Sequence, residues 1–175
     1  MKAPKKAEAT RRIVLTGFMG SGKTTAGPLV AERLGWSFVD VDDVIAAEAG
    51  TTIPEIFRSE GETAFRRHES EVIFKLLERG RLVLALGGGA IENEATRERL
   101  LLMPETLLVH LEVRLETTLA RCKGTENLRP VLADEANLKD RYERRLPLYR
   151  MAHVTLQVDT LTPEEVAEAI VRTAG

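Results

Sequence analysis

The chain has 175 residues, 43% hydrophobic and 30% charged, which suits one soluble globular domain with a sizeable core. Its formal net charge of −2 excludes a global electrostatic pull toward nucleic acid or an anionic membrane surface. The lone Cys122 excludes an intramolecular disulfide and suits a reducing compartment, and no apolar run approaches the ~20 residues a membrane span needs. Residues 1–11 are basic but carry no apolar stretch of a secretory signal, so they read as a flexible, solvated tail ahead of a single domain over 12–175. A cytoplasmic location and a monomer are expected.

Ile13–Thr16 is apolar or β-branched and predicts a short buried strand. It runs into Gly17-Phe18-Met19-Gly20-Ser21-Gly22-Lys23-Thr24, which fits G-x-x-x-x-G-K-[ST] at every fixed position. Thr25–Leu34 is compatible with a helix ending at Gly35, so the pattern has the strand before it and the helix behind it that a phosphate-binding loop needs. Glycines there turn backbone N–H groups inward as an anion nest, and the helix adds its positive end. Gly20, Ser21, Gly22, Lys23, Thr24 and Thr25 are therefore the expected nucleotide cradle. In it Lys23 reaches the β/γ-phosphates and Thr24 offers a hydroxyl to Mg²⁺. A plain Gly-rich turn would need none of those fixed positions. Pro28 falls about a turn inside the helix, where a bend is expected, with Gly27 beside it adding slack.

Ser37–Asp42 (SFVDVD) predicts a second strand whose Asp40 and Asp42, two apart, share a face at its C-terminal end. In open α/β sheets ligands bind at that end. The competing reading is a helix cap, for which Asp43 is the better placed. Val44–Gly50 and Ile53–Gly61 predict two short helices, followed by a long one from Glu62 to about Arg79. Glu69 falls on the apolar face of the long helix, where a carboxylate needs a partner, and Arg66 at i−3 can supply one. A solvated pair at the edge of the stripe fits the spacing equally well. His68 lies off that face and is expected to be exposed.

Arg81–Leu86 predicts a buried third strand ending in Gly87-Gly88-Gly89, where something could approach the backbone closely. Glu92–Met103 reads as a surface helix, and Thr106–Val113 as a fourth strand with a structural His110 inside it. Leu115–Cys122 is helical. The polar segment 123–136 breaks pattern and is expected to form a lid, with Arg129 in mid-loop. Leu138–Met151 is a helix rich in arginine (Arg141, Arg144, Arg145, Arg150) that contains Pro147. Val154–Val158 is a fifth strand, and Pro163–Thr173 a last helix with Thr162 and Glu165 as a capping box. Strands alternating with helices make a parallel, doubly wound α/β sheet with helices on both faces.

No N-K-x-D motif reads guanine, and no acidic pair ends the Leu82–Leu86 strand as in many motor-type ATPases. The remaining class is a compact kinase for a small acceptor. If the acceptor is a hydroxyl, a base must take its proton, and Asp42 is placed for that. Arginines on converging elements could clamp an anionic acceptor bidentately.

From Ile13 to Val171 the chain resembles the shikimate kinases. The likeness is carried by GFMGSGKTT at 17–25, FVDVDDVI at 38–45, IPEIFRSEGETAFRRHE at 53–69, LGGGA at 86–90, NLRPVL at 127–132 and RRLPLYR at 144–150. The resemblance implies a P-loop NTPase fold of the nucleoside monophosphate kinase type, a five-stranded parallel sheet in the order 2-3-1-4-5. It also implies transfer of the ATP γ-phosphoryl to the 3-hydroxyl of shikimate, on the route to chorismate and the aromatic amino acids. On that pattern one Mg²⁺ is held by Thr24, with Asp40 helping through water, and Asp42 binds the ring hydroxyls and acts as base. Arg66, supported by Glu69, and Arg145 grip the carboxylate, the acceptor lies against Gly87, Gly88 and Gly89, and Arg129 covers the phosphates. The adenine contact is left between Arg121 and the turn 160–163. Pro28 departs from the pattern. A kinase of gluconate or a nucleoside monophosphate would lack the FRRHE and RRLPLY pair, and a non-catalytic nucleotide-binding protein would need neither Asp42 nor Arg129.

Overall fold

A computed structural model describes residues 9–123 and 135–175. Five short parallel strands form its centre: β1 (Arg12–Thr16), β2 (Ser37–Asp40), β3 (Leu82–Ala85), β4 (Thr106–Glu112) and β5 (Val154–Gln157). They lie in the order β2-β3-β1-β4-β5, the order the family likeness implied. The central strand β1 pairs on both sides, with Val14 level with Leu84 on β3 and Leu108 on β4. Seven helices flank the sheet among the described residues: α1 (Lys23–Leu34), α2 (Val41–Ala49), α3 (Ile53–Leu77), α4 (Glu94–Leu102), α5 (Leu115–Cys122), α6 (Glu135–Tyr149) and α7 (Pro163–Ala174).

Alternation along the buried strands separates two apolar cores, because successive side chains point to opposite faces. Val14, Leu82, Leu84 and Leu108 face one way, into a core with Ile45, Phe65, Ile73 and Tyr149 from α2, α3 and α6. Ile13, Leu15, Val83 and Val109 face the other way, into a core with Val30 of α1 and Val166 and Ile170 of α7.

Several boundaries differ from the expectations. The second strand stops at Asp40, and helix α2 begins at Val41, so Asp40 and Asp42 do not share a strand face. The reason is local: the Asp40 carboxylate accepts a hydrogen bond from the Asp42 backbone N–H at 2.9 Å, and this N-cap outcompetes another ladder step. Asp40, not Asp43, is the capping residue. Ile53 to Leu77 runs as one helical span broken at Gly61 (φ 83, ψ 169), which falls between the two helices expected there. The segment 90–92 is a 3₁₀ turn, and Asn93 caps α4 by accepting from Thr96 N–H at 2.9 Å. Helix α6 starts at Glu135, three residues earlier than expected.

Gly27 is not slack. A Cβ built there would collide with the ring of Phe38, so glycine lets α1 settle onto β2. Helix α1 continues through Pro28, whose side chain is exposed, from Lys23 to Leu34. Thr162 and Glu165 form the capping box anticipated for α7. Most of the anticipated lid, 124–134 with Arg129, lies outside the described residues. Among those that are described, no helix is long and apolar enough to cross a membrane.

Candidate active site

The phosphate loop joins the C-terminal end of β1 to α1. Gly22 caps the helix at φ 89, in the left-handed region that a side chain would strain. Lys23 Nζ lies across the loop, donating to the Gly17 carbonyl at 2.7 Å and to the Phe18 carbonyl and Ser21 Oγ at 3.3 Å each. Thr24, in the first turn of α1, is exposed.

A cleft of ≈ 700 Å³ opens from this loop across the C-terminal edge of the sheet. Its walls bring together every proposed site residue that is described: the loop from Gly20 to Thr25, Asp40, Asp42, Arg66, Glu69, the three glycines and Arg145. Arg121 and the turn residues Leu161 and Pro163 share one end of it, so the two candidate adenine contacts are neighbours. Arg121 there donates to the carbonyls of Gly20 at 2.9 Å and Val158 at 3.2 Å, tying the loop to the end of the last strand.

The opposite end is built from charge pairs around the glycine triplet. Glu69 is 1% exposed, and its Oε1 accepts from Arg66 Nη1 at 2.8 Å. Burial pushes its carboxyl up to about 6, with the Arg66 guanidinium opposing the shift. Arg66 also lies over the rings of Phe57 and Phe65, at 5.7 and 5.2 Å from their centroids. Arg145, 4% exposed, donates to Glu92 Oε2 at 3.2 Å. Both guanidiniums abut Gly89: a Cβ there would meet Arg66, and would stand 2.8 Å from Arg145 Nη2. A Cβ on Gly87 would lie 2.9 Å from Asp42 Oδ1 and 3.0 Å from Glu69 Oε2, so two carboxylates from α2 and α3 border that glycine.

Asp42 is half-buried, and its pKa is raised, first by burial and then by the Asp40 charge, against the pull of Lys23 and Arg66. Asp40 is raised as well, by burial and then by Asp43. Two carboxylates held above their ordinary range between a lysine and an arginine suit a proton acceptor.

A family model described as "Shikimate kinase" matches residues 19–174 of the chain. The chain belongs to the shikimate kinase family. A curated shikimate kinase from Thermodesulfovibrio yellowstonii is 41% identical over 165 residues, which cover 93% of this chain and 94% of that protein. Among solved structures, a shikimate kinase from Acinetobacter baumannii in complex with shikimate superposes with a TM-score of 0.87 at 40% identity, covering 97% of this chain and 95% of that one. The shikimate kinase from Aquifex aeolicus gives 0.81 at 34% identity, over 93% and 95%.

Within this shikimate kinase family member, two further residues shape the glycine-triplet end of the cleft. Glu92, expected on a surface helix, stands in the 3₁₀ turn and accepts from both Arg145 and Arg144, the latter at 3.1 Å. Burial would raise its carboxyl, but the two arginines outweigh that and lower it. An arginine-rich helix needs counter-charge, the one sequence signal that pointed toward such a partner. Tyr149 is buried, and its hydroxyl donates to the Gly88 carbonyl at 2.5 Å. Burial pushes that phenol up to about 12, so it stays a donor.

His110 stacks on the Tyr149 ring, centroids 5.1 Å apart, and burial pushes it down to about 4 despite Glu112. It is a neutral core residue, as its place in an apolar run implied. His68 is half-buried and reaches Glu48 Oε2 at 3.1 Å, a surface pair rather than a free side chain.

Proposed function

We propose that this protein transfers the γ-phosphoryl of ATP to the 3-hydroxyl of shikimate, giving 3-phosphoshikimate and ADP. The observation that carries this reading is the convergence of two arginine–glutamate pairs on Gly89, beside Asp42, in one cleft with the phosphate loop. Two planar guanidiniums can fork a carboxylate bidentately, which fixes one end of a flat ring. Glu69 and Glu92 hold those guanidiniums in place, so little ordering is left for the acceptor to drive. The glycine triplet lets the ring lie against backbone, and Asp42 borders it where a hydroxyl would sit.

In the transfer, the acceptor oxygen forms a bond to phosphorus while the bond from phosphorus to the β–γ bridging oxygen breaks. The hydroxyl proton goes to the Asp42 carboxylate. Lys23 and the loop N–H groups hold the β- and γ-phosphates through the change. Among the described residues no cluster of three acidic, histidine or cysteine side chains could hold an ion alone. Thr24 and Asp40 nevertheless share the cleft wall with the phosphate loop. One hydroxyl and one carboxylate suit Mg²⁺, which takes most of its ligands from phosphates and water and, when bound, neutralises charge on the β- and γ-phosphates. The enzyme acts on small molecules as a monomer, and the single buried thiol of Cys122 fits the reducing cytoplasm.

A coupled ADP-release assay tests the reading, with shikimate, gluconate and AMP as acceptors across a Mg²⁺ titration. ADP release that depends on shikimate and on Mg²⁺, with neither alternative acceptor comparable, supports it. Turnover led by gluconate or AMP overturns it.

A further inference from the structure

Four arginines line the cleft among the described residues: Arg66, Arg121, Arg141 and Arg145. Three are engaged. Arg66 and Arg145 are each paired with a glutamate, and Arg121 with backbone carbonyls. Arg141 makes no hydrogen bond or ion pair with any described residue. It lies half-buried on α6, four residues before Arg145, so the two guanidiniums leave the same face of the helix one turn apart.

The charges around Arg141 make that placement unfavourable in itself. Burial lowers its pKa, and repulsion from Arg145 lowers it further, against the pull of Glu62 and Glu92. Both glutamates are turned to other partners: Glu62 stands 3.8 Å from Arg66 Nε, and Glu92 holds Arg144 and Arg145. A half-buried cation beside a like charge is relieved by an incoming anion. The two clamp arginines are already matched by carboxylates, so they orient an acceptor while adding little net charge. Arg141 is the cleft arginine that has no direct hydrogen-bonded or ion-paired partner among the described residues.

We propose that Arg141 is a specificity-determining residue of the acceptor site, whose guanidinium on the cleft wall attracts acceptors bearing a carboxylate and favours them over neutral analogues of the same ring. The inference rests on the reading of the cleft as a shikimate-phosphorylating site. It separates two tasks that one carboxylate sets: the Arg66 and Arg145 pairs fix its direction, and Arg141 adds an unpaired positive charge to the cleft wall. Long-range attraction of this kind is screened by salt, whereas a short, buried, paired contact is screened much less.

The test compares wild type, Arg141→Gln and Arg141→Lys with shikimate and shikimate methyl ester. Dissociation constants are measured by calorimetry over roughly 20–500 mM salt, a range that shortens the screening length several-fold. Turnover at saturation and ATP affinity are measured beside them. Arg141→Gln should bind shikimate about tenfold more weakly at low salt, with a flattened salt dependence, while its already weak affinity for the ester stays put. Arg141→Lys should restore most of the loss, because a point charge suffices for attraction. Equal losses for acid and ester, or a loss confined to ATP affinity or turnover, overturn the inference and give Arg141 to packing or the nucleotide. An unchanged Arg141→Gln in an enzyme that phosphorylates shikimate also overturns it, and leaves the functional reading standing. A wild type that neither binds nor phosphorylates shikimate overturns both.

Discussion

Replacing Asp42 by asparagine keeps the outline of the side chain and its hydrogen-bonding capacity, and removes both the charge and the base. If Asp42 accepts the hydroxyl proton, turnover should fall by about 10²–10⁴-fold, the usual worth of a positioned base and about 3–5 kcal/mol of barrier. The surroundings of Asp42 set a second expectation of opposite sign. Its pKa in the native state is raised above the ordinary 3.8, chiefly by burial and then by Asp40. A carboxyl shifted upward on folding contributes stability that is complete below its unfolded pKa and is lost as pH rises through the folded one. At neutral pH the ionised Asp42 therefore weakens the native state, and asparagine relieves that. Asp42→Asn should melt at or above the wild-type temperature at pH 7.5, each kcal/mol being worth about 2–4 °C in a chain of this size. The difference should shrink toward zero as pH falls to 3.8. Steady-state ADP release, calorimetric binding of Mg·ATP and melts at several pH values read the three quantities separately. Near-normal turnover at saturating shikimate would refute the base assignment, and a clear drop in melting temperature at neutral pH would refute the electrostatic account.

Glu69, pushed up to about 6 by burial beside Arg66, contributes stability that is lost as pH rises from about 4.5 through 6, worth roughly 2 kcal/mol. Urea melts of wild type and Glu69→Gln should diverge within that window and run parallel above pH 7, and parallel curves throughout would show that the shift is absent. Gly89 has φ −94, which any residue adopts, so Gly89→Ala acts through its methyl group against Arg66 and Arg145. It should raise the shikimate KM by roughly 10–10²-fold and leave the ATP KM alone, and equal damage to both would point to the fold instead. Gly27→Ala drives a methyl into the Phe38 ring and should cost about 1–3 kcal/mol of stability while keeping turnover at low temperature. Adding Phe38→Leu should recover part of that loss, and an unrescued double variant would remove the packing explanation.

Elements whose signals are local were legible in the chain. Apolar runs bounded by Gly35, Gly80 and Gly87 marked the strands, and Thr162 with Glu165 marked the start of α7. Where two local rules compete, pattern alone misjudged the outcome. Asp40-Val41-Asp42 alternates like a strand, yet the Asp40 carboxylate captures the Asp42 N–H and turns the chain into a helix. Asp42 still reaches the cleft, from a helical turn rather than a strand face. Gly27 looked permissive beside Pro28 because its reason lies in another element, the ring of Phe38. Glu92 meets Arg145 across 53 residues of sequence, and Tyr149 meets Gly88 across 61, so neither pairing has a periodicity to betray it. Glu69 stood between the two kinds of case. Its spacing from Arg66 was visible, and its depth depended on how α3 packs.

The sheet that separates the two apolar cores also sorts the elements that line the cleft. The helix behind the phosphate loop and the α7 residues that reach the cleft pack in one core, while α2, α3 and α6, which carry Asp42, Arg66, Glu69 and Arg145, pack on the other. Helix side chains on opposite faces are kept apart by the sheet, but the phosphate loop bridges them, since Phe18 packs in the core of α2, α3 and α6, edge-on to Tyr142. Substitutions of helix side chains on opposite faces, away from Phe18 and Tyr142, should therefore add within about 0.5 kcal/mol, the margin found for independent sites. The layer of α2, α3 and α6 can therefore be recut away from Phe18 and Tyr142 without unsettling the core behind α1.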